Sequence, residues 1–257
     1  MGGSLRRLFA YRHCLWVLAA RALKVRYRRS VFGFAWSLAY PLLSMAILTL
    51  VFARVFPAVR AYPLYVVVGV LAWGFLSLSC VQAMESLIAG APILRRIAVP
   101  AAVFPLAAVA SNLVHLLLSL AVLPAVMAVT GSWPAWHPFL LLAALGALAA
   151  FAAGLALALA AVNLFFRDVR YFFDALSLLW FYATPVVYPA EVIPQHLRAF
   201  LWANPMFWQL ALFRAALYEG RAADPAVVAV ALGLSAVALV VGWAAFARLE
   251  RKFHLYL

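Results

Sequence analysis

The chain has 257 residues, of which 69% are apolar and 11% are charged, and its mean hydropathy is +1.06. Soluble domains carry about 45–50% apolar and about 25% charged residues, so this composition argues against a soluble enzyme or a secreted domain and predicts a membrane protein. Lys and Arg number 20 against 7 Asp and Glu, and the two cysteines, Cys14 and Cys80, cannot build a disulfide framework or a metal cluster.

A basic arm precedes the first long apolar stretch. Apolar residues recur in it with a spacing of three or four, so residues 1–31 are predicted to form an amphipathic helix in the membrane interface. The apolar positions are Leu8, Tyr11, Leu15, Leu18, Ala22 and Val25, and the arginines off this face are Arg12, Arg21, Arg26 and Arg28. Two interpretations stay open: the arm anchors and orients the first span, or its arginines bind an anionic lipid headgroup or pyrophosphate.

Six stretches are apolar enough to cross a bilayer core, which takes about 20 residues. They are residues 32–56, 63–86, 102–130, 139–165, 173–190 and 225–246. Between the last two, the segment 190–220 is rich in Trp, Phe and Leu but is cut by Pro194 and by Asn204 with Pro205, so neither half can cross. We predict an all-α protein of one domain, residues 1–257, with two short re-entrant helices, 190–203 and 206–220, as an external hairpin.

The basic residues are distributed unevenly between the two sides of these spans. Fifteen of the 20 fall on the side of both termini, and eight of those fifteen lie in the N-terminal arm. The positive-inside rule therefore places both termini in the cytoplasm. The net charge of +13 is then mainly a topology signal and not a sign of nucleic-acid binding.

The loop after the second span reads GAPILRRIAVP, residues 90–100. Pro92 and Pro100 bracket it, and we predict a short helix of two turns. Apolar side chains in a cytoplasmic loop favour a partner surface, although a simple hairpin between spans is the other interpretation. The candidate docking residues are Ile93, Leu94, Arg95, Arg96 and Ile97.

Aromatic residues cluster near the span ends and in the segment 190–220. Trp and Tyr favour the headgroup zone, so many of them are explained as membrane anchors. The second interpretation is a channel in which aromatic rings stack on the apolar faces of sugars, with Pro185 kinking the fifth span. The candidate channel residues are Trp36, Tyr40, Trp73, Trp180, Phe181, Tyr182 and Tyr188.

The string LKVRYRRSVFGFAWSLAYPLLSMAILTLVF, residues 23–52, resembles the start of the transmembrane subunit of ABC-2 type exporters of cell-surface polysaccharides. The strings FFRDVRYFF (165–173), WFYATPVVYP (180–189) and NPMFWQLALFRAALYEG (204–220) agree with that family. The positions that match its first motif are Lys24, Arg26, Tyr27, Ser30, Gly33, Trp36, Ser37 and Pro41. Phe32 departs from the leucine that usually precedes the loop glycine.

The resemblance implies an entrance for the pyrophosphate end of a lipid-linked substrate. Its residues are Lys24, Arg26, Tyr27, Arg28, Arg29, Ser30, Phe32 and Gly33. A glycine that simply eases entry into the first span is the other interpretation of Gly33. The resemblance also implies a homodimer in the bacterial inner membrane, with two separate ATP-binding subunits that hold ATP and Mg²⁺ and dock at residues 90–100.

The expected function is the channel-forming permease of an ATP-driven exporter that moves lipid-linked O-antigen, of the undecaprenyl-pyrophosphate type. The chain carries no Walker motif and no Cys/His cluster, so we expect no catalytic residue, metal or cofactor in it and no nucleic-acid partner. Two alternatives stay open. One is an ABC-2 permease for teichoic acid, capsule or a small amphiphile, and the other is a membrane scaffold without transport activity.

Overall fold

A computed structural model describes residues 10–28, 33, 35–97, 99–135, 137–253 and 256. These residues form ten α-helices joined by short turns, without a strand among them. The helices are α1 (Arg12–Tyr27), α2 (Ala35–Phe52), α3 (Tyr62–Leu94), α4 (Val103–Ser119), α5 (Val122–Thr130), α6 (Pro138–Phe165), α7 (Asp168–Ala183), α8 (Arg198–Ala203), α9 (Pro205–Arg214) and α10 (Pro225–Glu250). The prediction of an all-α fold is thereby confirmed for the described residues.

Five helical stretches among the described residues are long and apolar enough to cross a membrane. They are Ala35–Phe52, Tyr62–Leu94, Val103–Thr130, Pro138–Phe165 and Pro225–Glu250. The third consists of α4 and α5, which a turn at Leu120 and Ala121 separates. Pro124 explains this turn, because a proline has no amide hydrogen and its ring clashes with the carbonyl four residues earlier.

The predicted span 173–190 does not stay helical to its end. Helix α7 begins at Asp168 and stops at Ala183 after 16 residues, and Thr184 is extended with φ −103° and ψ 133°. Pro185 accounts for this stop, because a proline disfavours the helical conformation of the residue before it. The predicted count of six spans is therefore not confirmed.

Helix α3 is longer than the sequence predicted. It continues past residue 86 to Leu94 and includes Pro92, so residues 90–94 are its last turn and not the start of the separate two-turn helix predicted over residues 90–100. Ile93 and Leu94 pack on the core of the chain itself. That packing holds the end of the helix in place despite the proline.

The segment 190–220 is less regular than two helices of equal length. Residues 190–203 contain two short 3₁₀ turns, Ala190–Val192 and Gln195–Leu197, before α8. Pro194 separates the two turns, since it cannot supply the amide that a continuous helix needs. The second half is helical, with α9 followed by a π-helical turn over Ala215–Glu219.

Helix α1 packs on α4 through one face, and Ala19 is its most buried side chain. The pattern differs from the predicted apolar face at two positions. Arg26 turns inward, whereas Val25 is 60% exposed. The inward position of Arg26 follows from polar partners on the facing helices, because its guanidinium donates to Gln82 and Asn112.

Helices α6 and α10 cross at glycines. A Cβ atom on Gly242 would lie 1.9 Å from the carbonyl oxygen of Gly154, and one on Gly154 would lie 2.2 Å from that of Ala238. Helices in membranes commonly use small residues in this way to bring their backbones close together. The crossing ties the last span to the centre of the bundle.

Candidate functional site

A cavity in the described part of the bundle lies between α2, α3 and α4. Its volume is about 430 Å³, and Trp36, Tyr40 and Trp73 line it. A second cavity of about 270 Å³ shares Tyr40, Trp73 and Gly74 with the first and adds Phe181. We refer to the two cavities together as the groove.

Four of the seven predicted channel aromatics thus line the groove, namely Trp36, Tyr40, Trp73 and Phe181. Trp180 stands behind them, with its ring edge-on to Trp73 at 5.6 Å between centroids, and Phe181 contacts the same ring at 5.5 Å. Tyr182 is 60% exposed on the outer side of α7. Tyr188 lies beyond the end of α7, where its hydroxyl donates to the carbonyl of Tyr182.

The groove is not purely apolar. Its polar lining residues are Ser37, Ser77, Asn112, His115 and Ser119. Arg26 donates to Asn112 Oδ1 at 2.6 Å and to Gln82 Oε1 at 2.9 Å, so the end of α1 is bonded to the groove wall. Because a guanidinium can only donate, the oxygen of the Asn112 amide faces Arg26. The Asn112 Nδ2 atom has no partner among the described residues.

The other predicted entrance residues are less well grouped. Lys24 is exposed on α1, Arg28 is exposed directly after its end, and Gly33 has a positive φ of 47°. Tyr27 is the last residue of α1. Residues 1–9 of the predicted arm, together with Arg29, Ser30 and Phe32, lie outside the described residues.

The predicted docking residues divide into two groups. Ile93 and Leu94 are half-buried, whereas Arg95, Arg96 and Ile97 are exposed beyond the end of α3. The same end of the bundle carries an ion pair between Glu85 of α3 and Arg170 of α7, and Arg170 also contacts Asp174 at 3.1 Å. Exposed ion pairs of this kind contribute little to stability.

After α7 the backbone leaves the helical conformation and runs through the interior as a short irregular segment. Residues 184–188, which we name the strap, are buried except for Tyr188. Their carbonyls accept hydrogen bonds mostly from side chains of other helices. Tyr62 donates to Val187 O at 2.6 Å, and Tyr65 donates to Tyr188 O at 2.8 Å. These bonds replace the helical ones that the strap lacks, as buried backbone groups require.

Arg214, the last residue of α9, donates hydrogen bonds to two other carbonyls of the strap, those of Pro185 and Val186. Its Nη1 and Nη2 atoms lie 2.7 Å from Pro185 O and Val186 O, and its guanidinium carbon lies 3.6 Å from the Tyr65 ring centroid. Burial lowers the pKa of Arg214 to about 10, so the side chain stays protonated at neutral pH. Sequence reasoning missed this residue, since its partners are 28 and 29 positions away along the chain.

Asn204 ties the start of α9 to the end of α7. Its Oδ1 atom accepts from the backbone amide of Met206 and from Trp180 Nε1 at 2.8 Å, and its Nδ2 donates to Thr184 Oγ1 at 2.9 Å. The residue therefore caps α9 and also orients the tryptophan behind the groove. The described residues hold no group of three His, Cys, Asp or Glu side chains suited to a metal ion.

Comparison with known proteins identifies a matching protein family. The ABC-2 type transporter family matches residues 13–218. The O-antigen export system permease protein RfbA of Myxococcus xanthus is 34% identical over 250 residues, which cover 96% of this chain and 95% of that protein. A Klebsiella pneumoniae protein with the same name is 30% identical over 239 residues, or 92% of each chain.

Proposed function

Because the chain belongs to the ABC-2 type transporter family, we propose that it is the permease subunit of an ATP-driven O-antigen exporter in the bacterial inner membrane. Its substrate is a polysaccharide linked to a lipid, of the undecaprenyl-pyrophosphate type. The observation that carries this proposal is the groove, which joins aromatic rings and polar side chains inside a bundle of apolar helices. The names of the relatives, O-antigen export system permeases, support the same substrate class.

The chemistry of the groove suits a glycan better than a small apolar drug. Sugar rings present C–H faces that pack on aromatic rings and hydroxyls that need hydrogen-bond partners. Trp36, Tyr40 and Trp73 offer the rings, and Asn112 and Ser119 offer polar groups beside them. Ligand sites generally combine an apolar lining with a few placed polar groups, and here the polar groups are hydroxyls and amides.

A second copy of the chain completes the pore in this proposal. Helix α2 has few buried side chains, and its exposed apolar residues include Leu43, Ile47 and Leu50. The groove lies beside this helix and is open along one side in the single chain. Two such grooves, facing each other, form a path enclosed by protein. The pyrophosphate end of the substrate enters past Lys24, Arg26 and Arg28, because arginine binds phosphate through two parallel hydrogen bonds.

The partner that supplies ATP hydrolysis docks, in this proposal, at Arg95, Arg96 and Ile97. Reversing both charges with Arg95→Glu and Arg96→Glu is expected to lower co-purification of the ATPase subunit at least tenfold. The reason is that the two side chains are exposed and serve no packing role in the chain itself. The measurement is the ratio of ATPase subunit to permease after affinity purification.

The matched control reverses Arg54 and Arg60, which are also exposed but lie at the opposite end of α3. That control is expected to leave the ratio unchanged. An unchanged ratio in the Arg95→Glu and Arg96→Glu variant would assign the docking surface to another part of the chain.

The proposed function itself is tested by a strain that lacks this chain. We expect lipid-linked polysaccharide to accumulate inside the cell and to disappear from the surface, with both effects reversed by the intact gene. Accumulation of a teichoic-acid or capsule polymer would change the substrate, and retention of a small amphiphile would favour a drug permease. A normal surface with no accumulating molecule would favour a scaffold and contradict transport.

A further inference from the structure

Arg214 is a buried cation that forms no ion pair with a carboxylate of the described residues, although Glu191 and Glu219 lie near enough to act on its charge. Its side chain is 7% exposed, and none of the ion pairs among the described residues includes it. Removing an ion from water costs several kcal/mol unless the site returns comparable interactions. For Arg214, two charge-assisted hydrogen bonds to the strap and the contact with the face of the Tyr65 ring offset this cost.

The two hydrogen bonds from Arg214 reach the backbone just after the end of helix α7. Pro185 O and Val186 O have no helical partner, because α7 stops at Ala183. A planar guanidinium reaches two neighbouring carbonyls at once, which an ammonium group cannot do with the same geometry. The position of Arg214 at the end of α9 therefore fixes where the strap lies.

Helix α3 leaves room for the strap and for the Arg214 guanidinium at Gly69. A Cβ atom on Gly69 would lie 2.7 Å from Val186 O and 3.2 Å from Arg214 Nη2. Any larger residue would push the carbonyl away from the helix. Gly69, the Val186 carbonyl and the Arg214 guanidinium thus meet at one close contact.

The strap is continuous with the groove wall. Phe181 lines the groove and Trp180 supports it, and both precede the strap by a few residues. Both rings contact Trp73, which lies one helical turn after Gly69 on α3. A displaced strap would therefore shift the two rings relative to Trp73.

We propose that Arg214 is a positioning residue for the transport path: it holds the strap in place against α3 and thereby fixes the Trp180 and Phe181 side of the groove. The effect on export rests on the proposed function, whereas the hold on the strap does not. Arg214 acts through the strap and does not itself line the groove.

The experiment places a reporter thiol on the strap. Val187→Cys, in a Cys14→Ser background, introduces a thiol at a position that is 5% exposed, and Cys80, which is fully buried, remains as an internal reference. Labelling by a membrane-permeant maleimide is followed in vesicles that contain the full-length chain with its ATPase subunit. Arg214→Gln and Arg214→Lys are each expected to raise the labelling rate at position 187 at least tenfold, with Cys80 unchanged and with export reduced at equal protein amounts.

Gly69→Ala is a second variant that keeps the arginine itself, although its methyl group would press on both Val186 O and Arg214 Nη2. Its added methyl group displaces Val186 O, so the same rise in labelling is expected, and combining it with Arg214→Gln should add little. Gly146→Ala is the control, since a Cβ atom there meets nothing within 4 Å. This second route keeps the test valid where an Arg214 variant fails to insert.

Unchanged labelling at position 187 in Arg214→Gln and in Gly69→Ala would overturn the proposal. So would labelling of Cys80 at the same raised rate, because that result indicates general unfolding. Raised labelling at position 187 together with normal export would show that the position of the strap does not determine the transport path. If the wild-type complex exports no glycan while the Val187→Cys variants show the expected differences in labelling, the proposed function is contradicted and the hold on the strap stands.

Discussion

Replacing Gly74 by tryptophan is expected to abolish glycan export while the protein still folds and binds its partner. Gly74 lines both cavities of the groove, and a Cβ atom there meets nothing within 4 Å. The added indole therefore occupies the open space beside Trp73 without displacing the backbone. We expect surface O-antigen to fall at least tenfold, measured on cells that contain equal amounts of the permease.

The matched control is Gly146→Trp on α6, another glycine with open space around it but outside the groove. It should export normally. Gly74→Ala should also retain most of its export, because a methyl group leaves the space largely open. Full export by Gly74→Trp would show that the substrate takes a different route through or around the bundle.

The second large effect concerns stability. Gly242→Leu is expected to destabilise the protein, because even the first added carbon would lie 1.9 Å from Gly154 O. Overpacking a well-filled contact costs about 1–3 kcal/mol, occasionally more. Since roughly 1 kcal/mol corresponds to about 2–4 °C in a chain of this size, a lower melting temperature in detergent should be measurable.

Gly233→Leu is the control for that experiment, since it lies on the same helix and its Cβ atom would meet nothing within 4 Å. Replacing a glycine in a helix removes a propensity cost of up to about 1 kcal/mol. The control should therefore be as stable as the wild type or slightly more so. Equal melting temperatures for the two variants would contradict the close crossing of α6 and α10.

The long apolar runs predicted an all-helical membrane protein well, because a bilayer permits few other structures. The ends of helices were harder to predict. Pro92 suggested a break, yet α3 continues through it, since Ile93 and Leu94 pack on the core. Pro185 suggested a kink, yet it marks the end of α7. A proline alone does not tell which outcome follows, because tertiary packing decides.

The sequence predicted which types of residue form the site, but it did not predict which of their side chains face the same cavity. Aromatic content selected seven channel candidates, but helix rotation determines that Trp36, Tyr40, Trp73 and Phe181 share one space. The hydrophobic pattern of α1 placed Arg26 off its inner face, because periodicity detects apolar contacts and cannot detect the amides of Gln82 and Asn112 opposite.

The unbroken length of α3 has a mechanical consequence. A helix of 33 residues is about 50 Å long at 1.5 Å per residue, whereas the hydrocarbon core is about 30 Å thick. Ordinary tilts of about 20° cannot absorb this difference, so part of the helix projects into water. Leu94 and Trp73 lie on this one rod, roughly 30 Å apart by the same rise per residue. Leu94 and Trp73 thus belong to one continuous helix, and we expect a displacement at Leu94 to be transmitted along it to Trp73.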